Sequence, residues 1–510
     1  MILFLQPNTI GVSIKKLAGQ TMWYGLSSIV GRFINYLLTP LLTVLGTSQY
    51  GEYTTVYANI TFFNIIFTYG METAYFRFVR DADEKNVYNT SATSLLLSTL
   101  PLSALMICLQ GPLSRLWSVP NHPEYVVYFA LIVGFDTLSV IPFSKLRFEQ
   151  RPMKFALIKL IGILINVVMV FFLINLAPAL KNNPAWSSYL NWYDPGYGIG
   201  YAFVANLVSS IATLFFLYKE IGAFRFRFDF SLWKSMMVYA LPLIIVGFGG
   251  MINETIDRTM LPKLLPGDLD FRNSQNGIYG ANYKLSILIV LFISAFRMGA
   301  EPFFLKHSSE GDAPKTYARI MTLFVVVCSF CFLGVTLFID IWKYFMRVDV
   351  HPEYAQGLAV VPILLLSKLA VGIYYNQSIW YKITNQTMMG AWITLGGVII
   401  TLVGNLWFIP EYGFMACAWS SLACSVFMVV ASYLLGQKYY PIPYSLMRIG
   451  RSLILMMGIF YAYQFFSPQL EITGYKLAFG AVLILLYTYI IIFRWERNEF
   501  KHFPLIGKYL

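Results

Sequence analysis

Charge is what this sequence has least of: 12% of its 510 residues are Asp, Glu, Lys or Arg, against 57% that are apolar. A soluble globule of that length needs far more polar surface, so the composition points away from a water-soluble enzyme and toward a bilayer as solvent. Metal chemistry also lacks its residues. The four histidines, His122, His307, His351 and His502, are far apart in sequence and fall in loops or the tail. The five cysteines, Cys108, Cys328, Cys331, Cys417 and Cys424, all fall in apolar helical segments. Cys328 and Cys331 form a CxxC, but no second ligand pair or thioredoxin-like strand pattern accompanies it, so they read as core residues. No nucleophile elbow or Gly-rich phosphate loop occurs. The expectation is no catalytic residue, no metal and no cofactor. The apolar start Met1 to Leu5 is too short for a cleavable signal.

Long apolar stretches fill what remains. A helix needs roughly 20 mainly apolar residues to cross the hydrocarbon core. Such segments fall at 17–44, 53–76, 91–110, 125–144, 155–177, 199–219, 233–256, 278–303, 316–340, 355–381, 389–409, 414–437, 448–466 and 475–493. The predicted fold class is all-α integral membrane with about fourteen spans. Most connections are short and rich in Gly, Pro, Asn and charge. The longest, 178–198 with Trp186, Trp192 and Tyr193, and 262–277, are too small to be domains. Basic residues set orientation. Of the 37 Lys and Arg, 24 lie on the N-terminus, even-numbered loops and C-terminal tail, and eight on the opposite side. Both termini are therefore expected in the cytoplasm. The net charge of +12 reads as topology signal and contact with anionic membrane lipids, with no nucleic-acid partner.

Two passages repeat. Tyr50-Gly51 opens a segment ending in Glu72-Thr73-Ala74-Tyr75-Phe76, and Tyr279-Gly280 opens one ending in Glu301-Pro302-Phe303-Phe304, with the same Tyr-to-Glu spacing. A weaker pair sets Gly198-Ile199-Gly200-Tyr201-Ala202 against Gly413 to Ala418. Chance likeness between apolar segments is the competing reading. An offset of six spans preserves orientation, which predicts two parallel six-helix bundles, 1–230 and 231–440, with two further helices in 441–510.

Asn253-Glu254-Thr255-Ile256-Asp257-Arg258, then Gly277-Ile278-Tyr279 with Lys284, then Gly299-Ala300-Glu301-Pro302 and Lys306, resemble the signature of bacterial polysaccharide flippases. These are the O-antigen translocase (Wzx-type) members of the multidrug/oligosaccharidyl-lipid/polysaccharide exporter superfamily. Pro40-Leu41-Leu42-Thr43, Leu45-Gly46, Tyr50-Gly51-Glu52-Tyr53 and Ile409-Pro410-Glu411-Tyr412-Gly413 are similar too, so the resemblance spans nearly the whole chain. It implies a MATE-like, V-shaped pair of bundles that exposes a central cavity to each side in turn. It also implies an undecaprenyl-pyrophosphate-linked oligosaccharide as cargo for polysaccharide, lipopolysaccharide or capsule synthesis. The bacterial inner membrane would be its location and glycan-assembly proteins its neighbours. The loop 178–198 is longer than the family pattern.

Charges within the predicted spans fit such a cargo. Lys or Arg at a helix centre costs about 2.5 to 3.5 kcal/mol on insertion scales, so it normally faces a cavity or a partner. The candidates for a cationic, substrate-binding cavity are Arg32, Lys159, Arg258, Lys284, Arg297 and Lys368. Arg grips phosphate oxygens in a bidentate fork. Each has a plainer alternative. Lys159, Lys284 and Arg297 are near enough to an interface to snorkel, and Arg258 follows Glu254 by four residues, the spacing of a helix-surface ion pair. Asp136, Glu254 and Asp257 are candidates for ion coupling or helix pairing; for Asp257, orienting the helix end and binding a coupling cation both stand. A cation-coupled drug exporter is the alternative within the superfamily, and the basic excess argues against its acid-rich cavity. A membrane-embedded glycosyltransferase or polymerase is the alternative from another class; it needs catalytic carboxylates and a sizeable loop, and neither is visible. Pro40, Pro101, Pro142, Pro242, Pro302 and Pro362 mark places where spans are expected to bend. Trp23, Trp117, Trp342 and Trp495 read as interface anchors. Tyr374, Tyr375 and Trp380 either stack on sugar rings or pack in the interior.

Overall fold

The computed structural model describes residues 29–306, 311–470 and 473–500. Residues 17–28 of the first predicted span, with Trp23, and the histidines His307 and His502 lie outside the described residues. Helix dominates, and no strand occurs among the described residues. The first half holds α1 (Ile29–Leu45), α2 (Thr47–Thr68), α3 (Met71–Phe78), α4 (Glu84–Cys108), α5 (Glu124–Phe148), α6 (Pro152–Val170), α7 (Gly200–Phe216) and α8 (Phe230–Leu264). Then follow α9 (Leu269–Leu285), α10 (Ile287–Lys306), α11 (Ala313–Thr336), α12 (Val360–Gln377), α13 (Thr387–Tyr412), α14 (Phe414–Tyr439), α15 (Leu446–Phe466) and α16 (Thr473–Thr488). Among the described residues nine helices are long and apolar enough to cross a bilayer, and the bent pair α9–α10 makes a tenth. The shorter α1 and α7, with α2 and α8, occupy the remaining predicted intervals. The chain is an all-α membrane protein.

Local chemistry sets the helix ends. Asp83 caps α4 by accepting from Asn86 N–H at 2.9 Å, and Asp229 caps α8 by accepting from Leu232 N–H at 3.0 Å. The Leu232 N–H and the Asn86 amide hold the Asp229 carboxyl below the usual carboxylate range. Within the helices, hydroxyls of Thr54, Thr55, Ser329, Thr336 and Thr401 return to the carbonyl four residues earlier. This satisfies donors that lipid cannot. Large apolar side chains instead face outward, among them Phe215, Trp407, Met447 and Ile454. That is the surface a hydrocarbon solvent selects.

Of the prolines expected to bend spans, Pro40 stands three residues after an interruption of α1 at Leu37. α4 and α5 run through Pro101 and Pro142. Further breaks fall at Tyr69-Gly70, both left-handed with φ of 32° and 73°, and at Ser286, where α9 and α10 meet at 44°. Tyr69 is a bulky residue in a region that glycine favours, so its conformation is imposed by its surroundings.

The chain forms two compact units, Met1–Gly277 and Ile278–Leu510. In the first, α5 lies against α2, α4 and α7, and α8 lies against α2, α3 and α4. Met71, Tyr75, Tyr88, Leu95, Met236 and Ala240 form a shared core there. Trp117 is buried against Phe63 and Phe129 and is a core residue rather than an interface anchor. In the second, α14 is sandwiched by α12 and α13, and α11 joins α12 to α15. Close contact rests on small residues: a side chain at Gly372 would meet Phe324, and one at Gly436 would meet Trp380.

Candidate functional site

The basic residues singled out from sequence separate into distinct settings. In the first unit, Arg32 is exposed on α1. Lys159 is exposed on α6 with its ammonium 4.6 Å from the Phe143 ring. Its field reaches Asp136 on α5, which also faces Ser210 of α7. Glu254, Asp257 and Arg258 sit in consecutive turns of α8. Asp257 is buried; its Oδ1 accepts from the Arg258 backbone N–H at 2.8 Å and lies 3.5 Å from Arg258 Nε. The Arg258 guanidinium donates to the Glu254 carbonyl at 2.5 Å, and Asn276 Nδ2 donates to the Arg258 carbonyl at 3.1 Å. The structure thus joins this triad within α8, which runs on to Leu264.

In the second unit, Lys368 on α12 is buried, with its ammonium 4.8 Å from the Tyr283 ring. Lys284 follows Tyr283 on α9, two residues before the Ser286 break, and is half-buried. Arg297 on α10 is exposed and lines a cleft with Glu301 of the same helix and Tyr375, Asn376 and Lys382 from α12 and the turn after it.

That cleft has the clearest binding chemistry. Lys382 Nζ donates to Glu301 Oε1 at 2.6 Å, and Arg297 Nε reaches Glu301 Oε2 at 3.4 Å. The Arg297 guanidinium lies 4.7 Å from the Tyr375 ring centroid. Two cations thus share one carboxylate, leaving the cleft one positive charge in excess. Half of the Arg297 side chain is open to an incoming anion. At an effective dielectric near 20, unit charges about 4 Å apart attract by about 4 kcal/mol. Phe296 and Phe324 supply apolar wall. Asn376 donates to the Gly372 carbonyl at 3.1 Å, while its Oδ1 is buried with no hydrogen-bond partner among the described residues. A ligand hydroxyl or amide would satisfy it.

The sequence singled out Arg297, Glu301 and Tyr375, but Lys382 entered only in the count of basic residues that sets orientation, and Asn376 was missed. Both stand at the end of a span where snorkelling explains a Lys and capping explains an Asn, so only tertiary contact reveals them. Tyr374 and Trp380 are buried, Trp380 stacking on Tyr439. Of the three interior aromatics, Tyr375 alone lines this cleft. Among the described residues no group of His, Cys, Asp and Glu is arranged to hold a metal.

A family model described as polysaccharide biosynthesis protein matches residues 17–306. No curated protein matches by sequence. Among solved structures, the lipid II flippase MurJ in an inward closed conformation is similar at 12% identity, over 92% of this chain and 98% of that one, with a TM-score of 0.67. A multidrug resistance MATE transporter of the MOP superfamily, inward-facing, is similar at 14% identity over 82% and 95%, with a TM-score of 0.61. At these identities the likeness is one of fold.

Proposed function

Because the chain belongs to the polysaccharide biosynthesis protein family, we propose that it carries a polyprenyl-pyrophosphate-linked oligosaccharide across the bacterial cytoplasmic membrane. It exposes its binding site to each side in turn. The observation that carries this reading is the cleft in which Arg297 and Lys382 share Glu301 beside Tyr375. The pyrophosphate takes the two cations, Arg297 as a planar fork and Lys382 as a point charge. Tyr375 offers a ring face and Asn376 an unmet acceptor to the first sugar. Glu301 keeps both cations in place when the site is empty and yields them to a more highly charged anion. Direction of transport then follows from how strongly each conformation holds that anion. A cation-coupled drug exporter would need the opposite balance of charge at such a cleft.

Both termini belong in the cytoplasm on this reading, with glycan-assembly enzymes as the source and sink of the cargo. The test is flipping of a fluorescent polyprenyl-pyrophosphate oligosaccharide in proteoliposomes. Arg297→Ala and Lys382→Ala are expected to slow transport at least about tenfold, equivalent to about 1.4 kcal/mol, with normal folding. Arg32→Ala and Lys368→Ala, measured alongside, report whether the other span cations take part. Failure of correctly inserted wild type to flip this lipid would overturn the reading.

A further inference from the structure

Residues 224–230 read Phe-Arg-Phe-Arg-Phe-Asp-Phe, and 224–229 form an irregular segment between α7 and α8. This strap is fixed along one face of α4. Arg225 N–H donates to Asn89 Oδ1 at 2.8 Å, Thr93 Oγ1 donates to the Arg227 carbonyl at 3.0 Å, and Asp229 N–H donates to Thr90 Oγ1 at 3.2 Å. Asn86 Nδ2 closes the row on Asp229 Oδ2 at 3.0 Å. Positions 86, 89, 90 and 93 share one side of a helix. So fixed, the strap still leaves Phe226, Phe228 and Phe230 exposed by 66%, 42% and 64%. Holding three phenylalanines out in water would be costly.

Phe228 forms one wall of a cleft completed by Tyr69, Leu97, Trp233 and Met237. Its polar floor is already satisfied: Trp233 Nε1 donates to Ser94 Oγ at 2.8 Å, Ser94 and the Tyr69 hydroxyl are 2.6 Å apart, and Ser98 reaches Tyr69 at 3.3 Å. What the cleft presents is therefore ring faces and methylenes, suited to a hydrocarbon chain rather than a sugar. From Leu97 an uncharged exposed stripe continues along α4 through Pro101, Ala104 and Cys108, as lipid-bathed helix does. Arg225, Arg227 and Lys234, all exposed, flank the wall residues in sequence. An apolar groove with exposed cations next in sequence to its wall residues complements an anionic amphiphile.

We propose that the strap and cleft form a binding site for an anionic phospholipid of the leaflet on the basic-rich side of the membrane. One acyl chain lies along Leu97, Trp233 and Met237, and the phosphate sits at Arg227 and Lys234. The bulk lipid is the occupant the open, uncharged stripe favours. This site goes beyond the transport reading and does not depend on it.

Native mass spectrometry of the full-length protein with phosphatidylglycerol or phosphatidylcholine of matched chains tests it. Phosphatidylglycerol is expected to be retained preferentially, and Arg227→Gln with Lys234→Gln to weaken it roughly fivefold per cation removed, at unchanged melting temperature. Chain-brominated phosphatidylglycerol should quench the fluorescence difference between wild type and Trp233→Phe, and Leu97→Trp, which fills the cleft without touching the charges, should weaken binding. Equal retention of both lipids, wild-type affinity in the charge variant, or one-for-one displacement by a polyprenyl phosphate would each overturn the assignment.

Discussion

Glu496 and Glu499, beyond the last span, hold three arginines between them. Glu496 is buried and takes both Arg448 and Arg451, the latter at 2.8 Å, while Arg319 donates to Glu499 at 2.7 and 3.0 Å. Burial pushes the Glu499 carboxyl up, but Arg319 and Arg448 outweigh it and leave it below its ordinary value of 4.5. A carboxyl depressed in the folded state stabilises the fold above its ordinary value and loses that contribution as pH falls through the depressed one. The melting-temperature gap between wild type and Glu499→Gln is therefore expected to be full near pH 7 and to close below about pH 4. A gap that stays constant over that range would refute the linkage. At this scale the sequence was only partly legible. Arg297 stood out because a charge within a span demands a reason, and Glu301 because it stands in the repeat and in the signature, yet their partner Lys382 looked ordinary at a helix end. Lys368 stood out equally and lies in the interior beside Tyr283. Hydropathy registers that a charge is costly but is silent about which neighbour offsets the cost.

Elements were far more legible, because a span of about 20 apolar residues is its own signal. Helices fill all fourteen predicted intervals, the first over its described part. Their breaks were not. Helix runs on through Pro101 in α4 and Pro142 in α5, and α1 is interrupted just before Pro40, whereas Tyr69-Gly70 and Ser286 break their helices through tertiary demands that a one-dimensional scan does not contain. The crossing of α2 with the first half of α9 is of the same kind. A Cβ on Gly51 would stand 1.8 Å from the Asn273 carbonyl oxygen, and one on Gly277 would stand 1.9 Å from that of Thr47. Both obstacles are backbone, so neither helix yields by rotating a side chain. Asn276 seals the crossing by donating to Thr55 Oγ1 at 2.7 Å. Gly51→Ala is expected to destabilise the protein by about 1 to 3 kcal/mol, seen as a lowered melting temperature in detergent. An unchanged melting temperature would mean that the two backbones have room to separate.

For the whole molecule, composition alone dictated a membrane protein, and the distribution of Lys and Arg predicts its orientation. Cysteines placed at the exposed positions Lys85 and Lys438 should react with an impermeant maleimide only after the cells are opened. Those at Ala185 and Asp349 should react in intact cells, all in a background lacking exposed Cys108. The reverse pattern would invert the topology. One connection bears on how such a chain reaches the bilayer at all. α13 and α14 are 26 residues each and are separated by Gly413 alone, in a left-handed turn with φ of 56°. A one-residue link gives neither helix the slack to enter lipid and wait for the other. Two spans joined so tightly are expected to insert as one helical hairpin, which would make residues 387–439 one unit of biogenesis as well as two spans.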